Sequence, residues 1–474
     1  MQEPSALSFT IETEVTSAYY EDLLKYVHQS YLQPSPQRFS NVKQAVVDGN
    51  HVLDFSLLDT DGKWRVDVDV KTGKPIQVSL LPSDPSVPQP VLTRLRDDLI
   101  IIVQYFEEQI RRSTLYFAWV QGKDVVPEKS PFRRSRIVER IFFGNILFLF
   151  GLLFAISIVL FLLIGIYAAI VLVVGQLIMV LFANKIVGQL GDWTITAQSP
   201  TVHILQYHLP TQERANFAQN YPREKLLQMK KEIYDRTIAL DKPIECETAR
   251  EVMTKYGLEC SPDSMATKTV NVYNLVEKTT KTYGMPMPKI MLSNTMVANA
   301  AATGPSPRRG LVLITTGLLV QLDEEEILSV LGHEISHLGS RDPFVLTGIV
   351  TGEYLFRVFV LWPYIYYFGL LYLFFILGLI YFIAKFFEAR ADLESAIKMG
   401  NPKVLAGALR KIGFRRLQYE RSPSYKIQDW ITWDPHPPIY FRVERLEKLE
   451  PNLQVKHTLF QSAKDCIRGF FAAF

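Results

Sequence analysis

Cysteine is scarce in this chain of 474 residues, which holds only Cys246, Cys260 and Cys466. An odd count without CxxC spacing speaks against a disulfide framework and against a thiolate zinc site, and it points to a thiol-reducing compartment. Excess charge of one sign is also missing. With 51 Lys and Arg against 48 Asp and Glu, the formal charge is +3, too balanced for a nucleic-acid footprint. The opening residues MQEPSALSFTIETEV carry early acidic side chains and no apolar core of signal-peptide length, so the first segment is expected not to be exported. What the chain does have is apolar bulk. Hydrophobic residues make up 48% of it, part of them in two long uncharged runs, and the length calls for two or more modules.

The first run, Ile141 to Asn184, is 44 residues without a charge, about twice the ~20 that cross a bilayer core as one helix. A helical hairpin turning near Gly165 uses that length, because lipid offers no water to unpaired backbone groups. Arg133, Arg134, Arg136 and Arg140 stand just before it, and that flank is expected on the cytoplasmic side. The second run, Val358 to Ala384, has 27 residues. Ahead of it Glu353 and Arg357 are spaced to pair on one helix face, either at a membrane interface or against the protein interior. If residues on either side of this region build one site, the chain crosses between them zero or two times. That parity predicts legs over 343–361 and 365–385 with a turn near Trp362 and Pro363.

The remaining sequence is mixed. Residues 1–90 read as an α+β accessory module: Trp64, Val66, Val68 and Val70 alternate with polar residues between turns at Asp61-Gly62 and Thr72-Gly73. A helical stretch, AYYEDLLKYVHQSYL, precedes that strand, and Pro82, Pro85, Pro88 and Pro90 close the module. Residues 91–140 read as a linker with an amphipathic helix leading to the membrane, and 141–184 as the transmembrane hairpin. The polar segment 185–341 has helices expected around 222–238, 247–256 and 270–283 and two strands within 288–316. A second transmembrane or membrane-associated hairpin follows over 342–385, then a closing polar segment over 386–474.

One motif carries chemistry. In SVLGHEISHLGSRD, His333 and His337 lie four apart on a helix that Asp323 and Glu326 are placed to cap reciprocally. On one helix face, two imidazoles four apart can hold one Zn²⁺ per chain, and the adjacent Glu334 can take a proton from the attacking water as general base. Catalytic zinc requires a third protein ligand. Glu388 in FFEARADLESA suits that role because it returns to the side that His337 left. Asp392, four residues on, can orient a ligating histidine, and Glu394 is a rival ligand. Near the C-terminus, in TWDPHPPIYFRVERLEKL, His436 or Arg442 can donate to the oxyanion of a tetrahedral intermediate. The competing readings are a capping histidine and a solvated arginine; Arg445 is a weaker candidate of the same kind.

Taken in order, Asn299, Ala300, Thr303 and Gly304 on a strand, TTGLL at 315–319, HEISH at 333–337, an apolar hairpin, EARAD at 388–392 and HPP…R at 436–442 resemble the HtpX-like integral-membrane zinc metalloproteases, relatives of the CAAX prenyl proteases. The resemblance covers about 270–450 and both hairpins, but not the N-terminal 130 residues. It implies a gluzincin site with His333, His337 and Glu388 as ligands and Glu334 as base. It also implies an edge strand around Val297 to Ala301, with Asn299 and Ala300, that pairs with substrate backbone, and His436 and Arg442 near the scissile carbonyl. The parts on either side of the second hairpin, 185–341 and 386–474, then form one metalloprotease domain. The fold class expected is α+β, mainly helical: a polytopic membrane protein with a zincin-type protease domain and a small N-terminal α+β domain. Its partners would be protein or peptide substrates, membrane proteins among them, and the lipid bilayer, with no nucleic acid. The function implied is a multi-pass cell-membrane endopeptidase with a cytoplasmic catalytic domain, acting on membrane or misfolded proteins. A site-specific CAAX-type processing protease and a catalytically silent membrane scaffold are the alternatives.

Overall fold

The computed structural model describes residues 7–59, 61–85, 87–127, 146–209, 220–261, 264–420, 422–450 and 455–474. The arginine flank at 133–140 and the first residues of the uncharged run lie outside them. The described residues are mostly helical, with three sheets. They divide into two compact units. One takes Met1–Tyr116, Leu205–Asn220 and Ile244–Ala266; the other takes Phe117–Ile204, Tyr221–Pro243 and Thr267–Phe474.

The chain opens with β1 (Leu7–Ile11), α1 (Tyr20–Val27), β2 (Phe39–Val47), β3 (Asn50–Leu58), β4 (Arg65–Lys71), β5 (Ile76–Pro82), α2 (Gln89–Arg112) and β6 (Thr114–Val120). The first five strands form an antiparallel sheet in the order β1-β5-β4-β3-β2. Its register follows from period-two alternation: Val66, Val68 and Val70 face inward, and Val68 and Val70 pair with Leu80 and Val78 of β5. α2 is the amphipathic helix expected within 91–140, and its apolar face is covered by the N-terminal module. Its stripe of Leu92, Leu95, Leu99, Val103 and Phe106 belongs to the core that α1 and the sheet share, each fully buried leucine contributing roughly 1.5–3 kcal/mol. Glu107 accepts from Thr13 Oγ1 at 2.7 Å and from Glu14 N at 3.1 Å. An amphipathic stripe records that one face is covered, but not whether protein or lipid covers it.

There follow α3 (Ile146–Ile164), α4 (Tyr167–Leu181), α5 (Ala183–Gly188), β7 (Trp193–Ile195), β8 (Thr201–His208), α6 (Arg223–Arg236), α7 (Cys246–Lys255), β9 (Met265–Asn271) and α8 (Val272–Thr282). Strands β6, β8 and β9 form a three-stranded sheet. The turn between α3 and α4 falls at Gly165, whose φ of +60° suits a residue without Cβ. Cys246 and Cys260 form a disulfide with their Cα atoms 5.6 Å apart, which corrects the expectation drawn from cysteine count and spacing. After α7 the chain reverses at Gly257, φ +80°, and brings the two thiols together across a separation that has no signature of its own. Cys466 is free and buried.

The last stretch holds β10 (Lys289–Ser293), β11 (Ala300–Thr303), β12 (Leu311–Thr315), α9 (Thr316–Gln321), α10 (Glu324–Ser340), α11 (Asp342–Phe359), α12 (Trp362–Met399), α13 (Pro402–Glu420), α14 (Pro423–Ile431), α15 (Ile439–Glu447) and α16 (Thr458–Phe471). Three strands stand where two were expected. They and β7 make a sheet in the order β11-β12-β10-β7, with β10 and β12 parallel and β11 antiparallel at one edge. α11 and α12 meet at residues 360–361, beside the expected turn. Within α12, Leu371–Met399 is the one helix among the described residues that is long and apolar enough to cross a bilayer, by length and composition; Ala155–Ile164 and Tyr167–Leu181 are shorter apolar helices. On α11, Arg357 pairs with Glu353 at 2.8 Å, and Tyr372 of α12 donates to the same carboxylate at 3.2 Å.

Candidate active site

α10 carries the two histidines, and its start is built as the sequence suggests. Asp323 accepts from Glu326 N at 2.8 Å while the Glu326 carboxylate accepts from Asp323 N at 3.0 Å, and three glutamates stand in the first turn, at the positive end of the helix dipole. Ile327, Leu331 and Ile335 are buried. The helix lies against α12 with very little clearance: a Cβ on Gly332 would stand 2.7 Å from Ser395 Oγ and 2.8 Å from Met399 Cγ. Glycine at 332 therefore permits the approach that places the next residue, His333, beside Glu388.

His333, His337 and Glu388 each offer one ligand atom to a common point, all within 4.8 Å of one another. His333 Nε2 lies 3.2 Å from His337 Nε2, and the Glu388 oxygens lie 3.4 Å and 3.3 Å from these nitrogens. Ligands about 2.0–2.1 Å from a tetrahedral ion are separated by about 3.3 Å; the two imidazole nitrogens stand at that spacing, each has a different Glu388 oxygen beside it, and the donor set has the chemistry for zinc. Glu388 Oε2 is buried without a hydrogen-bond donor, a cost that a cation would remove.

Around the ligands is a ring of carboxylates and arginines. His337 Nδ1 is 2.7 Å from Asp342 Oδ2, and Arg390 donates to that same oxygen. His333 Nδ1 is 2.9 Å from Asp392 Oδ1, close but off the axis of a well-formed ring N–H bond. Arg442 grips Asp392 with two bonds of 2.7 Å. Burial alone disfavours the imidazolium of His337, but Glu388, Asp342 and Glu334 outweigh it, and the group is pushed up to about 10. Metal therefore competes with protons for this nitrogen. Burial raises the Glu334 carboxyl above its ordinary value, while the neighbouring histidines pull it down. Glu334 Oε2 accepts from Ala302 N at 2.8 Å.

The other candidates fall as follows. Ala300 begins the edge strand β11, which starts later than the expected Val297, and Asn299 is tied to β12 through Thr315 Oγ1. His436 stands half-exposed with Nε2 3.7 Å from Glu388 Oε2, while its Nδ1 and backbone N each lie 2.8 Å from Asp434 Oδ1. Arg442 is buried behind Asp392 with Nε and Nη2 both spent on it, not solvated. Arg445 binds Asp465 and Ser462 and the carbonyl of Ala389. Glu394, the rival ligand, accepts from Ser336 at 2.7 Å and Thr458 at 2.8 Å and is absent from the ligand cluster.

Sequence reasoning missed five contributors. Asp342 follows His337 by five, a spacing that shares no helix face; it folds back only because Arg341 between α10 and α11 adopts a left-handed φ of +56°. Arg390 supports Asp342 from α12. Asp434 had a signal, two residues before His436 in DPH. Arg416 holds Asp434 at 2.7 Å, and the buried Lys385 donates to the carbonyls of Asp434 and His436. In the sequence Lys385 is only the first charge after the apolar run, a position that does not announce this contact.

Part of the chain is similar to known proteins. The model of "Peptidase family M48" matches residues 266–450. A "Protease HtpX homolog" of Pyrococcus abyssi is 30% identical over 219 residues, covering 38% of this chain and 73% of that protein. The homolog of Pyrococcus furiosus is 31% identical over 212 residues with the same two shares. That of Thermodesulfovibrio yellowstonii is 35% identical over 96 residues, 20% of this chain and 33% of the relative. The crystal structure of S. mikatae Ste24p covers 75% of this chain and 74% of its own at 14% identity, with a TM-score of 0.35, too low to carry any argument. On the two Pyrococcus relatives, each matched over nearly three quarters of its length, the chain belongs to peptidase family M48 as an HtpX-like metalloprotease.

Proposed function

We propose that this chain is a membrane-embedded zinc endopeptidase that hydrolyses peptide bonds of membrane or misfolded proteins at the cytoplasmic face, in protein quality control. The observation that carries the reading is the convergence of His333, His337 and Glu388, with one donor atom from each within 4.8 Å of the others, next to Glu334. Zinc bound there would supply Lewis acidity toward the scissile carbonyl and toward water. The protein's own groups do the rest. An extended substrate pairs with the free edge of β11, and Glu334 exchanges the hydrogen bond of Ala302 N–H for the attacking water. Glu334 takes that water's proton as the C–O bond forms and passes it to the departing amine as the C–N bond breaks. His436, held by Asp434, donates from Nε2 to the developing oxyanion. Arg442 acts through Asp392, keeping His333 oriented, rather than on the substrate.

Membrane embedding is supported by the apolar part of α12 and by the α3–α4 hairpin. The cytoplasmic face rests on the arginine flank ahead of α3. The Cys246–Cys260 disulfide favours the opposite face, because such bonds persist in oxidising compartments. Glu334→Gln tests the chemistry. With an unfolded protein as substrate, the variant should lose at least about 100-fold in rate while holding the same zinc, about one per chain. Equal cleavage by both forms would remove Glu334 from the reaction, and zinc-loaded wild type that cleaves nothing would favour the silent scaffold.

A further inference from the structure

α16 leaves an apolar stripe uncovered. Phe460, Ile467 and Phe471, with Phe474 just past the helix, recur at helical spacing on one side, whereas Ser462 and Cys466 on the other side are buried and Phe470 packs against Phe382. Phe460, Phe471 and Phe474 are 77%, 69% and 75% exposed, well beyond a stray surface aromatic. Lys464 and Arg468 lie beside them, also exposed.

Three contacts set the register of α16 along α12. Thr458 Oγ1 donates to Glu394 at 2.8 Å, Cys466 Sγ lies 3.7 Å from the carbonyl of Lys385, and the rings of Phe470 and Phe382 are 5.5 Å apart. The helices therefore run antiparallel, with the same span between the first and last contact on each, about 18 Å at 1.5 Å per residue. Phe460 stands level with Asp392, beside the metal-ligand group. Phe471 and Phe474 stand level with Tyr381 and Gly378, within the uncharged run and beside the exposed Leu379, and about one turn further along α12 exposes Phe374 and Phe375. There Trp433 meets Phe374 with ring centroids 5.9 Å apart, an aromatic pair of the kind found near a membrane boundary.

We propose that the C-terminal end of α16, through Phe471 and Phe474, is inserted in the headgroup–acyl boundary of the bilayer beside α12, with Arg468 at phosphate level and Phe460 in water. The proposal rests on the reading of α12 as a membrane span. An apolar stripe continuous with the span and flanked by cations fits a lipid surface with an anionic component. To test it, the full chain carries single nitroxide labels through Phe375→Cys, Phe460→Cys, Phe471→Cys or Phe474→Cys in phosphatidylcholine–phosphatidylglycerol vesicles. Cys466 is buried and the other two cysteines are bonded, so background labelling is small. Collision with oxygen is compared with collision with a water-soluble nickel chelate. Labels at 375, 471 and 474 should favour oxygen, and the label at 460 should favour the chelate. Labels at 471 and 474 that favour the chelate while 375 favours oxygen would overturn the proposal and leave the span standing. A label at 375 that favours the chelate would remove the span and the proposal together. Shielding of 471 and 474 from both reagents would mean that protein, a second copy or a partner, covers the stripe, and would also overturn it.

Discussion

Arg442 separates two accounts of this site, and Arg442→Met tells them apart. The guanidinium makes two bonds of 2.7 Å to the two oxygens of Asp392, and both side chains are buried. Methionine keeps the aliphatic stem and removes the charge, leaving a buried carboxylate without its partner. Breaking such a pair from one side costs about 3–5 kcal/mol. The unpaired Asp392 would turn or take a proton, and His333 would lose its orienting neighbour. Loss of a supporting partner of that kind weakens metal binding about 10–100-fold, or about 1.4–2.7 kcal/mol. Chelator-competition titration in detergent reads the zinc term and the unfolding temperature reads the other. Asp392→Asn combined with Arg442→Met should cost much less than the two single losses added together, because the pair acts as a unit. Wild-type zinc affinity and unfolding temperature in Arg442→Met, combined with a collapse of kcat, would refute this reasoning. Arg442 would then act on the substrate itself, as the family resemblance implies.

Gly332→Ala would push a Cβ into Ser395 and Met399. A loss of about 1–3 kcal/mol in stability, with weaker zinc binding, should appear in the same titration, and an unchanged variant would mean that α10 and α12 are less tightly apposed. Replacing Cys246 and Cys260 together by Ser should cost about 3 kcal/mol, the scale for a loop of this length, as read by denaturant unfolding. Alkylation in freshly broken cells separates the two faces: a rapidly labelled Cys246 would place this segment in a reducing compartment and support the cytoplasmic face, and two unreactive thiols would count against it. The pH dependence concerns Asp434. Burial works against its ionised form, yet His436 and Arg416 hold the carboxyl below the usual carboxylate range. Its folded value lies under the unfolded value of about 3.9, so its stabilisation is complete above about pH 4 and is lost as the pH falls toward the folded value. Between pH 5 and 3 the wild type should lose more stability than Asp434→Asn, and parallel melting curves over that range would count against the pairing.

Much of the candidate metal site was legible because it is written in local periodicities. HEISH lies within one helical turn, and its cap, Asp323 with Glu326, spans three residues. Glu388 required only a parity argument about membrane crossings. The surroundings were less legible. Asp342 reaches His337 through a left-handed residue that spacing does not announce, and Lys385 reaches the His436 loop across 49 residues of sequence separation. Arg442, read alone, was an oxyanion donor or a solvated arginine. Only the packing of α15 against α12 shows that its Nε and Nη2 are already spent on Asp392.

By itself the sequence determined that two imidazoles and a neighbouring carboxylate share a helix face, that a strongly apolar segment precedes Glu388, and that an alternating sheet opens the chain. Each of these is a short-range property of helix or strand geometry. Tertiary structure alone decided which surface α2 covers, which cysteines meet, and which charges neutralise the carboxylates behind the ligands. These depend on residues far apart in the chain meeting in a low-dielectric interior, where an unpaired charge is too costly to leave and where the partner that satisfies it is selected by packing rather than by spacing.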